Sequence, residues 1–453
     1  MIGIGIIGLG FVGLAHAVVY SSKGYRVVGI DIDEEKISLL RKGLSYIEEP
    51  QLKDLLRRGL DSKKLIFDTD YKRLVEEDVN TIFIAVDTPT RGHKQDLGNL
   101  LSALKSLGEL YRNEYREPAL AVKSTILPGS SRNYIIPYLE KILGRRVKIY
   151  VFNPEFLREG SAIEDILYPS RVVIGEYNSE SGEYFNKFFK EFYRGLHPPI
   201  IRTTLEASEL AKYASNLFLS CKLSFINAIS YVCESIKNCD ILDIKRIMGL
   251  DERIGSRYLH PGIGFGGSCL PKDLKAFIGF MREYKPYDKF FEEIDKINSY
   301  QVKLPVQKAL KLYGSLKGRI VTILGLSYKG GVNDIRGSKS IELIKEFLRL
   351  GAIVKAYDPV SSDNFNKFIK RFRWYKENSD RLIVCESINM AIEDSDMIII
   401  ATDWEEFKEL DPKIVKTLSR NHVIYDGRRI LDSRRFIASG IRYYGIGFGR
   451  DEE

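Results

Sequence analysis

Ile2-Gly-Ile-Gly-Ile-Ile-Gly8-Leu-Gly10-Phe11-Val12-Gly13 sets a short apolar run directly ahead of three glycines spaced G-x-G-x-x-G, and a helical pattern then runs to Lys23. A second apolar run, Arg26 to Ile30, follows and ends in Asp31. Strand, glycine turn, helix and strand in that order make a βαβ unit. The glycines have separate duties in it. Gly8 makes the tight turn, Gly10 lets the backbone approach a pyrophosphate, and Gly13 lets the helix lie against the strand. The unpaired N–H groups of the helix start at Phe11 and Val12 face the phosphates. Asp31 stands eighteen positions beyond Gly13 (31 minus 13), where a carboxylate accepts the hydroxyls of a ribose. An acid there repels a 2′-phosphate, and Ile32 supplies no guanidinium to offset it. The expected cofactor is NAD rather than NADP.

Further strand-like runs at 64–67, 81–86, 119–122 and 147–152 alternate with amphipathic helical stretches, which extends the unit into a doubly wound parallel sheet. Ligands of such sheets bind at the carboxyl ends of strands. Two of those ends, Asp87-Thr88-Pro89-Thr90 and Lys123-Ser-Thr125 with Pro128-Gly129 behind it, are expected to line the cofactor crevice, although ordinary turns use the same residues. A third, Asn153-Pro-Glu155-Phe156-Leu157-Arg158-Glu159-Gly160, gathers two glutamates and an arginine where a buried strand stops. Carboxylates beside a nicotinamide can orient a water and take its proton.

After one more strand, helix and strand, Thr203 or Thr204 caps a helix that runs without Pro or Gly to about Ile236. At about 1.5 Å per residue it is roughly 50 Å long, enough to bridge two domains and form the core of a dimer. Lys212 and Asn216 share one of its faces. Shorter helices are expected over 241–249, 271–284 and 287–303. From Lys317 the strand and helix alternation restarts, with strands over 319–324, 353–357, 382–385, 397–401 and 423–425. The first loop of this second doubly wound domain, Gly325 to Arg336, lacks the glycine fingerprint. It carries Lys329 and Arg336, which hold phosphates by side-chain charge. Asp426-Gly-Arg428-Arg429 adds positive charge at another strand end. The fold class is α/β, two doubly wound Rossmann-like domains joined by a long central helix. The expected boundaries are 1–203 for the NAD-binding domain, 204–304 for a helical dimerisation domain and 305–453 for a domain that binds a nucleotide anion.

Between the helices lies Gly264-Phe-Gly266-Gly-Ser-Cys269-Leu-Pro-Lys272-Asp273, a lone cysteine in a glycine-rich turn ahead of a helix that begins near Pro271. The helix dipole and the Lys272 cation both favour thiolate over thiol there. The competing reading is a small buried residue in a tight turn.

The composition narrows the partners. The 453 residues are 44% hydrophobic and 29% charged, as in a soluble globular protein of two or three domains. The net charge of +8 is spread among acids rather than gathered into a stripe, which favours a small anionic ligand over nucleic acid. Met1 to Ser22 is uncharged, but it lacks a basic leader and a cleavage site and is broken by glycines, so no targeting segment is expected. No other segment has the roughly 18 uncharged, apolar residues a membrane span needs. Cys221, Cys233, Cys239, Cys269 and Cys385 form no C-x-x-C pair and no zinc spacing, and their odd number argues against a disulfide framework. A reduced, cytoplasmic protein without a metal is expected.

Taken in order, these stretches resemble the UDP-glucose/GDP-mannose dehydrogenase family across essentially the whole chain. The shared motifs are G-L-G-F-V-G (8–13), K-S-T (123–125), N-P-E-F-L-R-E-G (153–160), Lys212 with Asn216, G-F-G-G-S-C-L-P-K-D (264–273), Lys329 with Asp334 and Arg336, and D-G-R-R (426–429). The resemblance implies a four-electron oxidation in which the C6 alcohol of a nucleotide sugar becomes a carboxylate at the expense of two NAD⁺. By that likeness Cys269 forms first a thiohemiacetal and then a thioester, Lys212 and Asn216 stabilise the oxyanion, Asp273 with Thr125 and a water assists proton removal, and Glu155 is the base for hydrolysis. Glu159 is expected near nicotinamide and sugar. The Phe156-Leu157-Arg158 backbone and Gly266 are expected to hold the nucleotide sugar. Tyr258, Lys329 and Arg428 would contact its diphosphate, and Arg253 would reach across a dimer interface to it. Lys36, Lys272 and Arg336 would touch the cofactor.

Within the family, S-T-I-L-P-G (124–129) is shared with GDP-mannose-like members, whereas E-F-L-R-E-G and Arg253-Ile-Gly favour UDP-glucose. UDP-glucose is the expected substrate, with GDP-mannose or a UDP-N-acetylhexosamine as alternatives, and a homodimer or higher homo-oligomer is expected. Two readings lie further off. A two-electron β-hydroxyacid dehydrogenase needs neither Cys269 nor a second nucleotide-binding domain, and a non-catalytic NAD-binding scaffold has no use for the cysteine, lysine, asparagine and acids together.

Overall fold

A computed structural model of the chain describes residues 3–284 and 287–449. It divides into two compact units, Met1–Ser215 and Asn216–Glu453.

The first unit is built on the strands β1 (Gly3–Ile7), β2 (Arg26–Ile30), β3 (Leu65–Asp68), β4 (Val79–Ile84), β7 (Ala119–Val122), β8 (Tyr150–Phe152), β9 (Val172–Glu176) and β10 (Ile200–Thr204), with β5 (Thr90–Arg91) and β6 (Lys94–Gln95) forming a separate hairpin. The eight strands lie in the order β10-β9-β8-β7-β4-β1-β2-β3. Successive side chains of β1 and β4 enter opposite cores: Ile4, Ile6 and Phe83 join one, Ile7, Ile82 and Ile84 the other. Both faces are thus covered, which is why these strands read as unbroken apolar runs. The chain order reverses between β1 and β4, and the loops after β1, β4, β7 and β8 therefore cluster where such sheets bind ligands.

The expected all-parallel sheet is mixed at one edge, where β8 and β9 pair antiparallel through Val151↔Glu176 and Phe152↔Gly175. The connection between them opens with the Asn153–Gly160 loop, and the helix in it, Ala162–Leu167, has six residues. A parallel return calls for a helix that runs back along the sheet.

The long helix spans Leu205–Glu234, 30 residues, and is about 45 Å long. It is capped by Thr204, whose hydroxyl accepts from the Ala207 N–H at 3.2 Å. Among the described residues it is the one helix long and apolar enough to cross a membrane by length and composition. A line of its polar side chains, including Glu209, Lys212, Ser220, Ser224 and Asn227, is nevertheless buried inside the protein.

In the second unit Cys233 and Cys239 form a disulfide, their Cα atoms 5.4 Å apart. The expectation that every cysteine is reduced fails because the helix end unwinds in tight turns. Ser235, Ile236 and Cys239 each donate to the carbonyl three residues back, and Asn238 turns through a left-handed φ of 61°. These turns fold the chain back on the helix, a local closure that spacing rules for disulfide frameworks do not register.

Helices Ile241–Gly249, Leu270–Met281, Asp288–Tyr300 and Lys303–Tyr313 follow. The second sheet is then formed by β11 (Ile320–Leu324), β12 (Ile353–Tyr357), β13 (Leu382–Val384), β14 (Met397–Ile400), β15 (Val423–Asp426) and β16 (Arg442–Gly445). Its order is β13-β12-β11-β14-β15-β16, parallel throughout. The last strand, β16, and the β5–β6 hairpin are additions to the elements expected from the sequence.

Candidate active site

The glycine fingerprint is assembled as its spacing requires. Gly8 has φ 85°, and a Cβ on Gly13 would sit 1.8 Å from the Gly8 carbonyl oxygen. Nothing lies within 4 Å of the corresponding position on Gly10, so the backbone there is open to close approach. Asp31 is held in place by its own turn: one carboxylate oxygen accepts from the Leu9 N–H at 2.7 Å and the other from the Asp33 N–H at 3.1 Å. The Tyr46 hydroxyl donates to the Leu9 carbonyl, and the Lys36 ammonium lies 5.7 Å from the Tyr46 ring centre. An open Gly10, a packed Gly13 and an oriented carboxylate fit a dinucleotide with a free ribose diol. Phe11 packs against the core and Val12 accepts from the buried His16 ring through its carbonyl. Burial, with the Lys123 charge nearby, holds His16 well below the usual histidine value. Thr88 is buried and donates to the Thr125 carbonyl at 2.7 Å, while the Pro89 carbonyl accepts from the Asp96 N–H at 2.8 Å.

Around the ends of β7 and β8 the first unit holds a buried cluster of amines and a carboxylate. The Lys212 ammonium donates to both the Glu155 carbonyl and its carboxylate, at 2.7 and 2.8 Å, and the two side chains are only 4% and 9% exposed. The second carboxylate oxygen accepts from the Leu157 N–H at 2.7 Å. Burial by itself would raise Glu155, but the Lys212 charge and hydrogen bond, the Leu157 N–H and the Lys123 charge together hold it below the usual carboxylate value. Lys123 donates to the Asn153 side-chain oxygen at 2.7 Å, and Asn153 in turn donates to the Val173 carbonyl at 2.8 Å. Burial pulls the Lys123 ammonium down to about 7, with Glu155 opposing and Lys212 adding to the shift. Phe156 lies between two cations, its ring centre 3.7 Å from the Arg171 guanidinium and 5.4 Å from the Lys212 ammonium. Arg158 is closed on Asp165 through its guanidinium and its N–H. Glu159 is half-buried.

In the second unit Cys269 is exposed and occupies the N-cap of Leu270–Met281. The competing expectation of a small buried residue therefore fails. Asp273, one turn on, is 1% exposed, and its carboxylate accepts from the Asn216 amide and the Lys272 ammonium, each at 2.6 Å, one on each oxygen. Lys272 thus forms an ion pair with Asp273. The glycines ahead of the cysteine answer to a neighbouring loop: a Cβ on Gly266 would sit 2.2 Å from the Gly337 carbonyl oxygen, and the Gly267 N–H donates to the Arg336 carbonyl at 3.1 Å.

The expected diphosphate contacts lie in the same unit. The Arg428 guanidinium donates to the Ala401 carbonyl at 2.7 Å and the Tyr328 carbonyl at 3.4 Å, and burial lowers its pKa. The Lys329 ammonium is 5.8 Å from the Tyr328 ring centre, and Tyr258 has a left-handed φ of 61°. Arg336 and Arg253 each pair with a carboxylate two residues away, Asp334 and Asp251, and Arg253 is otherwise exposed.

Sequence reasoning missed four polar side chains. Lys123 stands in the K-S-T strand end and Asn153 in the N-P-E-F-L-R-E-G loop, and the sequence assigns neither a role of its own. Glu209, buried one turn before Lys212, accepts from the Gly129 and Ser131 N–H groups at 2.6 and 2.9 Å, and burial lifts it to about 7. A charged pair three apart on an apolar helix was its available signal. Asp358 ends β12 as Asp31 ends β2, but one of its oxygens accepts from the Leu326 and Ser327 N–H groups and the Trp404 indole at 2.7 to 3.0 Å. The other accepts from Val360 and Ser361. With its oxygens so engaged, this second acid is a fixture of its loop rather than a ribose ligand.

A dinucleotide cradle in one unit, with the open Gly10, the packed Gly13 and the oriented Asp31 carboxylate, defines a nicotinamide-dependent dehydrogenase. Residues 2–193 match the NAD binding domain of the UDP-glucose/GDP-mannose dehydrogenase family, 206–300 its central domain and 322–433 its UDP binding domain. A UDP-glucose 6-dehydrogenase of Rickettsia conorii is 37% identical over 442 residues, 97% of this chain and 98% of that protein. One of Bacillus subtilis is 36% identical over 446 residues, 98% of this chain and 93% of that protein. The solved structure of a UDP-glucose dehydrogenase from the archaeon Pyrobaculum islandicum is similar at a TM-score of 0.88 and 32% identity, covering 99% of this chain and 98% of that one. The chain belongs to the UDP-glucose/GDP-mannose dehydrogenase family.

Proposed function

We propose that the chain oxidises UDP-glucose at C6 to UDP-glucuronate. The substrate rests on the name shared by the relatives and the archaeal structure, and the four-electron course rests on one observation: Cys269 is exposed at a helix N-cap, with Asp273 buried one turn on. A dehydrogenase that stopped at the aldehyde would need no such cysteine.

Gly10, Gly13, Asp31 and Thr88 would hold NAD⁺, with Lys36, Lys272 and Arg336 as further contacts. When bound it accepts a hydride from C6 in each of two rounds. Asp273, with Thr125 and a water, takes the hydroxyl proton in the first. The Cys269 sulfur then bonds to the aldehyde carbon and the oxygen gains a proton, giving a thiohemiacetal. Loss of a hydride and a proton from that adduct leaves a thioester on Cys269. Glu155, held ionised at neutral pH, takes a proton from the water that breaks the carbon–sulfur bond, and the carboxylate and thiol are released. Lys212 and Asn216 donate to the oxygen that carries charge in these steps. Phe156, Leu157, Arg158, Glu159, Gly266, Arg253, Tyr258, Lys329 and Arg428 are assigned to the nucleotide sugar.

Three parts divide this work: 1–203 for NAD, 204–304 for dimerisation and 305–453 for the UDP-sugar. A homodimer is supported by Phe218, Phe225 and Val232, seven residues apart on one side of the long helix and 65%, 48% and 53% exposed. NAD⁺ and nucleotide sugars are cytoplasmic metabolites, and the cytoplasm is the proposed compartment.

The test is the NADH formed per mole of sugar, with UDP-glucose, GDP-mannose and UDP-N-acetylmannosamine offered separately. Two equivalents with UDP-glucose are expected. One equivalent would remove the role of Cys269, and two with another sugar would change the substrate.

A further inference from the structure

We propose that Gln95 is a positioning residue for Thr125, fastening the Thr125 peptide to the helix that carries Lys212; this rests on the proton-handling role given to Thr125 above. The β5–β6 hairpin pairs only through Thr90↔Gln95 and Arg91↔Lys94, too little to be a stable element by itself. Its last residue is nonetheless tied into the interior. The Gln95 amide nitrogen donates to the Thr125 carbonyl at 2.8 Å and to the Tyr213 hydroxyl at 3.0 Å, and its oxygen accepts from the Leu127 N–H at 3.0 Å. These partners fix the orientation of the amide, because a carbonyl requires the nitrogen and an N–H requires the oxygen.

The consequence falls on Thr125. Its carbonyl accepts from both Gln95 and the Thr88 hydroxyl, so the two lone pairs are engaged and the peptide plane is held. A β-branched side chain on a fixed backbone has few rotamers, so fixing the peptide also restricts the hydroxyl. Tyr213 is buried and stands next to Lys212, and Glu209 binds Gly129 and Ser131 at the far end of the same loop. The loop from Thr125 to Ser131 is therefore tied to the long helix at both ends. Gln95 makes the tie at the end that matters for proton transfer.

The experiment uses the full-length enzyme with Gln95→Leu, Tyr213→Phe, Thr125→Val and the paired combinations. For Gln95→Leu, kcat should fall about 10- to 100-fold, the scale of a small misplacement of a reacting group. KM for UDP-glucose, the NAD⁺ dissociation constant and the melting temperature should stay close to wild type. Adding Gln95→Leu to Thr125→Val should cost less than about twofold more, because Gln95 acts through Thr125. Multiplicative losses, or a loss that tracks weaker NAD⁺ binding or a lower melting temperature, would overturn the proposal. Should Gln95→Leu fail to fold, the Tyr213→Phe and Thr125→Val pair carries the same non-additivity test. Hydrogen exchange at the Leu127 amide judges the tie without turnover. It should quicken in Gln95→Leu, and an unchanged rate would refute the tie. Absence of NADH from wild type with every sugar would instead remove the proposed function.

Discussion

Two glycines of one fingerprint should fail in opposite ways when given a methyl group. At Gly13 a Cβ would lie 1.8 Å from the Gly8 carbonyl oxygen, whereas real Cβ atoms come no closer than 3.0 Å, so the helix and the turn after β1 must separate by at least 1.2 Å (3.0 minus 1.8). Overpacking against a backbone atom is expected to cost about 3 kcal/mol. For a unit of this size, that lowers the apparent melting temperature by roughly 6–12 °C. Gly10 has φ −63° and open space around its Cβ position. Alanine is a poorer N-cap than glycine, but it also restricts the unfolded chain, and the two effects nearly cancel to within about 1 kcal/mol. Gly10→Ala should therefore melt like wild type and bind NAD⁺ at least about tenfold more weakly, since the methyl group obstructs the pyrophosphate. The assays are a thermal melt of each variant and an NAD⁺ titration. Gly13→Ala at wild-type stability, or Gly10→Ala with undiminished NAD⁺ affinity, would refute the division of labour.

The other predictions concern different parts of the molecule. Below about 7 the Lys123 ammonium is charged in folded and unfolded chains alike, and its burial cost is fully present. Between about 7 and 10.5 only the unfolded chain binds that proton, so stability rises with pH by up to about 1.4 kcal/mol per unit. Lys123→Met should flatten denaturation midpoints measured between pH 7.5 and 9.5, and parallel curves would show that Lys123 is an ordinary lysine. Cys269→Ser should yield no acid and at most one NADH per sugar, read from absorbance and product analysis; sustained acid formation would displace Cys269 as the nucleophile. Phe218→Asp with Phe225→Asp should convert a dimer to monomer in light scattering, and an unchanged mass would place the interface elsewhere.

Periodicity and glycine spacing are properties of adjacent residues, and they determined the fold class, both doubly wound sheets, the long helix with its start at Thr203 or Thr204, and the cofactor fingerprint ending in Asp31. The motifs also named Glu155, Lys212, Asn216, Cys269 and Asp273 as candidates. What they left open was which of these side chains meet. Lys212 reaches Glu155 and Asn216 reaches Asp273, each across 57 positions, and Lys123 reaches Asn153 across 30. Lys272 serves Asp273, and the glycines before Cys269 serve the Gly337 loop. The antiparallel pairing of β8 with β9 and the Cys233–Cys239 bond likewise follow from how the chain returns on itself. Local pattern determines what an element is because neighbouring residues share one backbone geometry. Partners, burial and the resulting charge states arise only when packing brings distant segments together and removes their water, and those the tertiary structure decided.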